Sequence, residues 1–146
     1  MGTVCIVIYS HIDKPVTRKD LFDFDSEKGF PYHVDAVPGA TKMFGYPFPI
    51  EESSKLKFSL KKIGYNRVDA LISAQEEADL LVRKYKLKYI YRAKLDCYDD
   101  GILIPKGKKG DEIDSIISNA LRKLAETGEL SELRNKIHLP YELATF

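Results

Sequence analysis

No stretch of the 146-residue chain stays apolar for the roughly 20 residues needed to cross a bilayer as a helix. The opening MGTVCIVIYSH carries only a short apolar run, with no basic leader and no small-residue cleavage site. It reads as a β-strand rather than a signal peptide, so any targeting segment is expected outside this chain. An excess of one charge is also missing. Lys and Arg number 23 against 22 Asp and Glu, which favours neither nucleic acid nor an anionic membrane as a partner. Metal-ligand patterns are absent as well. His11, His33 and His138 are scattered, without an i, i+4 pair or a cysteine at ligand spacing, so no metal or cofactor is expected. Neither cysteine has a nucleophile context. The run KGKKGD lacks phosphate-loop spacing and reads as a solvated loop, and Asp99-Asp100 reads as a strand entry rather than an acid/base pair. No residue argues for catalysis, and none is expected.

What the chain does have is an alternation of short β-rich runs with amphipathic helices. Val4 to Tyr9 is a strand stopped before Pro15, and Thr17 can cap a turn through Leu21 and Phe22. The segment from Gly29 to Ile50 is dense in Gly and Pro, leaving room for one strand, Tyr32 to Val37, and about one helical turn. Ser53 or Ser54 can cap a helix with Leu56, Leu60 and Ile63 on one face, ended by Gly64. Val68 to Ile72 reads as a buried strand and Gln75 to Tyr85 as a helix. YIYRA and YDDGILIPKG read as two further strands. A long helix from about Glu112 to Glu126, capped by Asp111 and followed by Gly128, carries the stripe Ile113, Ile116, Ile117, Leu121 and Leu124. A short helical segment around Leu130, Leu133 and Ile137 closes the pattern. The class is α/β.

The order DALISAQEEADLLVRKYKL, YIYRAKLDCYDDGILIPKG and SNALRKLAETGEL resembles the second half of family 3 extracellular solute-binding proteins, the type II periplasmic binding proteins. IVIYSHIDKPVTRKDLF resembles the strand that crosses between their two lobes. The resemblance covers Val4 to about Ile137. It implies one periplasmic-binding-protein lobe spanning 1–146, with crossing strands near 4–10 and 98–105 and a helical tail at 111–137. It also implies that about 90 to 100 residues forming most of the first lobe are missing, a size in keeping with an ordinary domain.

The resemblance further nominates ligand contacts. Gly39, Ala40 and Thr41 fall where backbone N–H groups and a hydroxyl would meet an anionic part of a ligand, although Pro38-Gly39 is equally a plain turn. The position that usually holds an ammonium-pairing Asp is Ala74, flanked by Ser73 and Gln75, which can serve only neutral polar groups. Asp69 is expected to hold its turn through local backbone bonds. Among Tyr32, Phe44, Tyr46, Phe48 and Tyr98, the candidates for a cleft wall are Tyr46 and Tyr98, the alternative being that these rings pack the core. The crossing strands would set Cys5 beside Cys97, as a disulfide or as two small buried hydrophobes.

The implied function is capture of a small polar solute in the periplasm for an ABC-type uptake system. The alternatives are the input domain of a bacterial signalling receptor, or a cyclohexadienyl-dehydratase-like enzyme on the same fold. A membrane transporter or receptor is the implied partner, and nucleic acid is not. The apolar helix stripe is expected either to fold back on the chain's own sheet or to self-associate.

Overall fold

The computed structural model describes residues 3–99 and 101–137. Five strands form one mixed sheet: β1 (Thr3–His11), β2 (Val34–Ala36), β3 (Glu51–Glu52), β4 (Ala70–Ala74) and β5 (Ile90–Asp99). Their order is β3-β2-β4-β1-β5. β2 runs parallel to both β3 and β4, while β1 is antiparallel to β4 and β5. The carboxyl ends of β2, β3, β4 and β5 therefore share one edge of the sheet with the start of β1. Six helices complete the described chain: α1 (Arg18–Phe22), α2 (Ala40–Phe44), α3 (Leu56–Gly64), α4 (Gln75–Tyr85), α5 (Lys108–Glu126) and α6 (Glu129–Ile137).

The period of 2 in β1 sorts its side chains between two cores. Ile6 and Ile8 join Leu21, Val34, Ala36, Phe48, Ala70, Ile72 and Leu95 on one face, with α1, α2 and the Gly- and Pro-rich segment above them. Val7 and Tyr9 join Leu60, Ile63, Leu71, Ala78 and Val82 on the other, under α3 and α4. Two buried carboxylates clamp that second face. Asp35 Oδ2 accepts from the Ser59 hydroxyl at 2.6 Å and pairs with Lys62 at 2.9 Å, tying α3 to β2. Asp79 accepts from the Tyr9 hydroxyl at 2.7 Å and pairs with Arg92 at 2.7 Å, tying α4 to β1 and β5. Tyr9 and Arg92 are direct cross-strand partners, so one register sets both contacts.

Several boundaries differ from the sequence reading. The strand expected at Tyr32 to Val37 is confined to Val34–Ala36, the stretch that pairs with β4. Ser53 does not cap α3. Its N–H donates to the Ala36 carbonyl, its hydroxyl donates to that of Ser59, whose own proton goes to Asp35, and the cap position falls to Lys55. Gly64 is the last helical residue of α3, and the left-handed turn sits at Asn66, φ 52°. A Cβ at Gly64 would lie 2.7 Å from the end of the Tyr89 ring, so a larger residue there would have to displace that ring. β4 begins at Ala70 rather than Val68. The two strands expected after α4 are one, because β5 pairs with β1 continuously from His11–Ile90 to Thr3–Asp99, with a bulge at Leu95. Of the second crossing strand expected near 98–105, the described part reaches Asp99, and residues 101–105 are not in a strand.

α5 starts at Lys108 rather than Glu112, with Gly107 at its cap position. Its stripe does not fold back on the sheet. Ile116 is 69% exposed, Ile113, Ile117, Leu121 and Leu124 are half-buried, and none of the five belongs to either core. α5 packs instead on α6. His138 and Asp100 lie outside the described residues.

Candidate functional site

Among the nominated residues, Gly39 to Thr41, Ser73 to Gln75 and Tyr98 lie at or just past the carboxyl ends of β2, β4 and β5, and Tyr46 follows α2. Register places Ala36 of β2 beside Ile72 of β4, Ala74 beside Ile6 of β1, and Ile6 beside Asp96 of β5. The order also reverses here. From β2 the chain goes outward to β3 and then back to β4 on the opposite side, which makes the β2/β4 exit a topological switch point.

Gly39 leaves β2 in the left-handed region, φ 84°, and precedes the five-residue α2. Ala40 donates to Val37 at 3.1 Å and is buried, while Gly39 and Thr41 are exposed. The Gly39 N–H is taken: it donates to Glu52 Oε1 at 2.9 Å. This carboxylate arrives from the end of β3, which pairs Glu52 with Ala36. A group that the resemblance assigns to an anionic part of a ligand thus already holds an anion from the chain itself.

At the end of β4, Ser73 and Gln75 are 2% and 3% exposed. Ser73 lies on the α3/α4 face, and its hydroxyl donates to the Ala74 carbonyl at 3.3 Å. Gln75 opens α4, and its backbone carbonyl lies 3.5 Å from the Tyr9 hydroxyl, whose proton goes to Asp79. Burial pushes the Tyr9 phenol far above its ordinary range, with the Asp79 carboxylate adding to the effect. Asp69 lies at the opposite edge, before β4. Its Oδ2 accepts the His33 N–H at 2.8 Å, so it pins the distant entry to β2 rather than its own turn.

The aromatic candidates form one continuous cluster. Tyr98 meets Phe44 at 5.6 Å, Phe44 stacks on Tyr46 at 5.5 Å, Tyr46 on Phe48 at 5.3 Å, and Phe48 on Phe30 at 5.2 Å. Phe48 is buried core; Tyr32, Phe44 and Tyr46 are half-buried against it; Tyr98 is 42% exposed. The Tyr46 hydroxyl is buried with no hydrogen-bond partner among the described residues. Burial raises the Tyr46 phenol well above its usual range, with Tyr98 and Asp96 contributing. Asp96 shares a sheet face with Tyr98, whose hydroxyl donates to Asp96 Oδ2 at 3.3 Å. Sequence reasoning named Tyr46 and Tyr98 but missed Glu52 and Asp96. Asp96 was signalled by its i, i+2 spacing from Tyr98; nothing in the local sequence signalled Glu52.

Cys5 and Cys97 face each other across β1 and β5 on the next register step and form a disulfide, with Cα atoms 4.1 Å apart. Among the described residues there is no cluster of metal-ligating side chains.

No family model matches the chain, and no curated protein sequence does. Solved structures do match in fold. The chain is similar to a mutant of ArgBP from T. maritima over 92% of its own length and 58% of that chain (TM-score 0.67, 19% identity). It is similar to EhuB in complex with hydroxyectoine over 99% of its length and 58% of that chain (TM-score 0.72, 17% identity). It is also similar to a histidine kinase sensor domain with similarity to periplasmic binding proteins, over 94% of its length and 60% of that chain (TM-score 0.70, 16% identity). The fold is therefore that of the periplasmic binding proteins. The chain spans about three-fifths of such a structure, 58% to 60% in these comparisons.

Proposed function

We propose that this chain is the second lobe of an extracytoplasmic solute-binding protein that captures a small polar ligand for an ABC-type uptake system. The observation that carries the reading is the shared edge. The β2, β4 and β5 carboxyl ends converge at a switch point, bearing Gly39, Thr41 and Tyr98 at the surface. Open α/β sheets bind ligands at such edges. Ala40 and Tyr46 back it on one face of the sheet, and Ser73 and Gln75 on the other. The lobe performs no chemistry. It closes over the ligand because contacts from both lobes exist only in the closed state, so binding shifts the population towards closure. The periplasm is the compartment that suits both this role and the Cys5–Cys97 bond. The half-covered stripe of α5 is the surface through which the lobe associates, with a second copy when the chain is alone.

The fold shared with a histidine kinase sensor domain supports a second reading, the input domain of a signalling receptor. The domains encoded next to this one separate the two. The binding role itself is tested by amide spectra of the 15N-labelled chain against a panel of small polar solutes. Shifts at Gly39 to Thr41, Ser73 to Gln75 and Asp96 to Tyr98 are expected. A panel that moves no residue at this edge would sink the proposal, as would turnover of prephenate or arogenate.

A further inference from the structure

Resting on that reading of the strand-end edge, we infer that its half of the cleft selects an organic cation, an alkylammonium or guanidinium group, rather than the carboxylate of an amino acid. Three observations carry this. The Gly39 N–H, the donor best placed for an anion, is occupied by Glu52, and a second anion arriving there would meet that carboxylate. Glu52 and Asp96 are both exposed at this edge, and neither is in an ion pair among the described residues. Between the β2 exit and β5 lies the aromatic shelf of Phe44, Tyr46 and Tyr98, whose outer ring is hydrogen-bonded to Asp96.

An aromatic face with a carboxylate at its rim is the combination that holds ammonium and guanidinium groups: the ring quadrupole attracts the cation and the carboxylate neutralises it. The same cluster already accepts one such group. The Arg18 guanidinium sits 4.6 Å over the Phe22 ring, which meets Tyr46 edge-on at 6.2 Å. The positive charge that an Asp at position 74 would pair is thus met from β5, where Asp96 stands at the rim of the shelf, while Glu52 on the far outer strand β3 closes the Gly39 donor to anions.

The test is a charge series on the 15N-labelled 146-residue chain at constant ionic strength: tetramethylammonium, agmatine, arginine, glutamate and succinate. Tetramethylammonium and agmatine, which lack a carboxylate, are expected to move the amides of Gly39, Glu52, Asp96 and Tyr98 at least as strongly as arginine does. Glutamate and succinate are expected to leave them in place. Asp96→Asn and Tyr98→Leu should each weaken agmatine binding roughly three- to tenfold, and Tyr98→Phe, which keeps the ring, by less. Glu52→Gln should narrow the gap between agmatine and glutamate. Glutamate or succinate shifting these amides as far as agmatine would overturn the inference while leaving solute binding intact. Silence towards every probe would overturn both.

Discussion

Replacing Arg92 with Met should unfold much of what α4 contributes, and the geometry sets the size of the loss. Asp79 is 5% exposed and takes two short contacts, one from Tyr9 at 2.7 Å and one from Arg92 at 2.7 Å. Met fills a similar length of apolar space but leaves the carboxylate buried without its cation. Breaking a buried pair in this one-sided way costs about 3–5 kcal/mol, a large share of the roughly 5–15 kcal/mol that holds an ordinary domain. Tyr9→Phe leaves the ion pair in place and removes only a hydroxyl donor to a charged acceptor, for about 1.5–3 kcal/mol. Asp79→Leu with Arg92→Met removes both charges together and should recover part of the single-variant loss, since no uncompensated charge is left although the buried Tyr9 hydroxyl loses its short acceptor. Urea unfolding of wild type, Arg92→Met, Asp79→Leu and the double variant, read as a double-mutant cycle, gives the coupling directly, with Tyr9→Phe measured beside them. Arg92→Met within about 1 kcal/mol of wild type would refute the reasoning, since water or another group would then be neutralising Asp79.

The other predictions are simpler to read. Cys5 and Cys97 are 92 residues apart in sequence, so Cys5→Ala with Cys97→Ala should lose up to about 4–5 kcal/mol by the loop-closure argument, and denatured, non-reduced protein should show no free thiol. Tyr9 and Tyr46 keep their protons in the folded state after the unfolded chain has begun to lose them at 10.0, so stability should fall as pH rises above that value. Each contributes a slope of up to about 1.4 kcal/mol per pH unit, and a stability flat to pH 11.5 would contradict both burials. One lobe offers one-sided contacts, so calorimetry on standard amino acids should find binding no tighter than about 1 mM; a submicromolar ligand would overturn this. Sedimentation velocity should find a dimer for wild type and a monomer for Ile117→Glu, whereas two monomers of equal stability would show that the α5 stripe is no interface.

Much of the architecture was legible because local signals agreed. Gln75–Tyr85 was read to the residue: Glu76 and Glu77 favour its start, Arg83 and Lys84 its end, and Ala78 and Val82 mark the buried face. The one-turn length of α2 followed from the prolines around it. Misreadings arose where a partner strand decides. β5 looked like two strands because its polar outer half, from Asp96 onward, is held by pairing with β1 rather than by burial of its own side chains. Ser53 looked like a helix cap because its competing bonds, to Ala36 and Ser59, come from a neighbouring strand and from the far side of the helix turn.

The same distinction explains why residue positions at the edge were easier to name than its charge. Gly39, Thr41 and Tyr98 sit at the ends of elements, and element ends can be read from breakers and periodicity. Whether the Gly39 N–H is free depends on Glu52, 13 residues later, and on a two-residue parallel ladder that sets Glu52 beside Ala36. A one-residue slip of β3 would turn that carboxylate to the other face and reopen the donor. The absence of a carboxylate at Ala74, taken alone, suggests an edge that has lost its hold on cations. With Glu52 and Asp96 at the flanking strand ends, the same absence becomes a relocation of negative charge from the centre of the edge to its two sides. On the inference drawn above, Asp96 at the rim of the aromatic shelf is the carboxylate a cation there would meet, and Glu52 on the far outer strand keeps anions from the Gly39 donor.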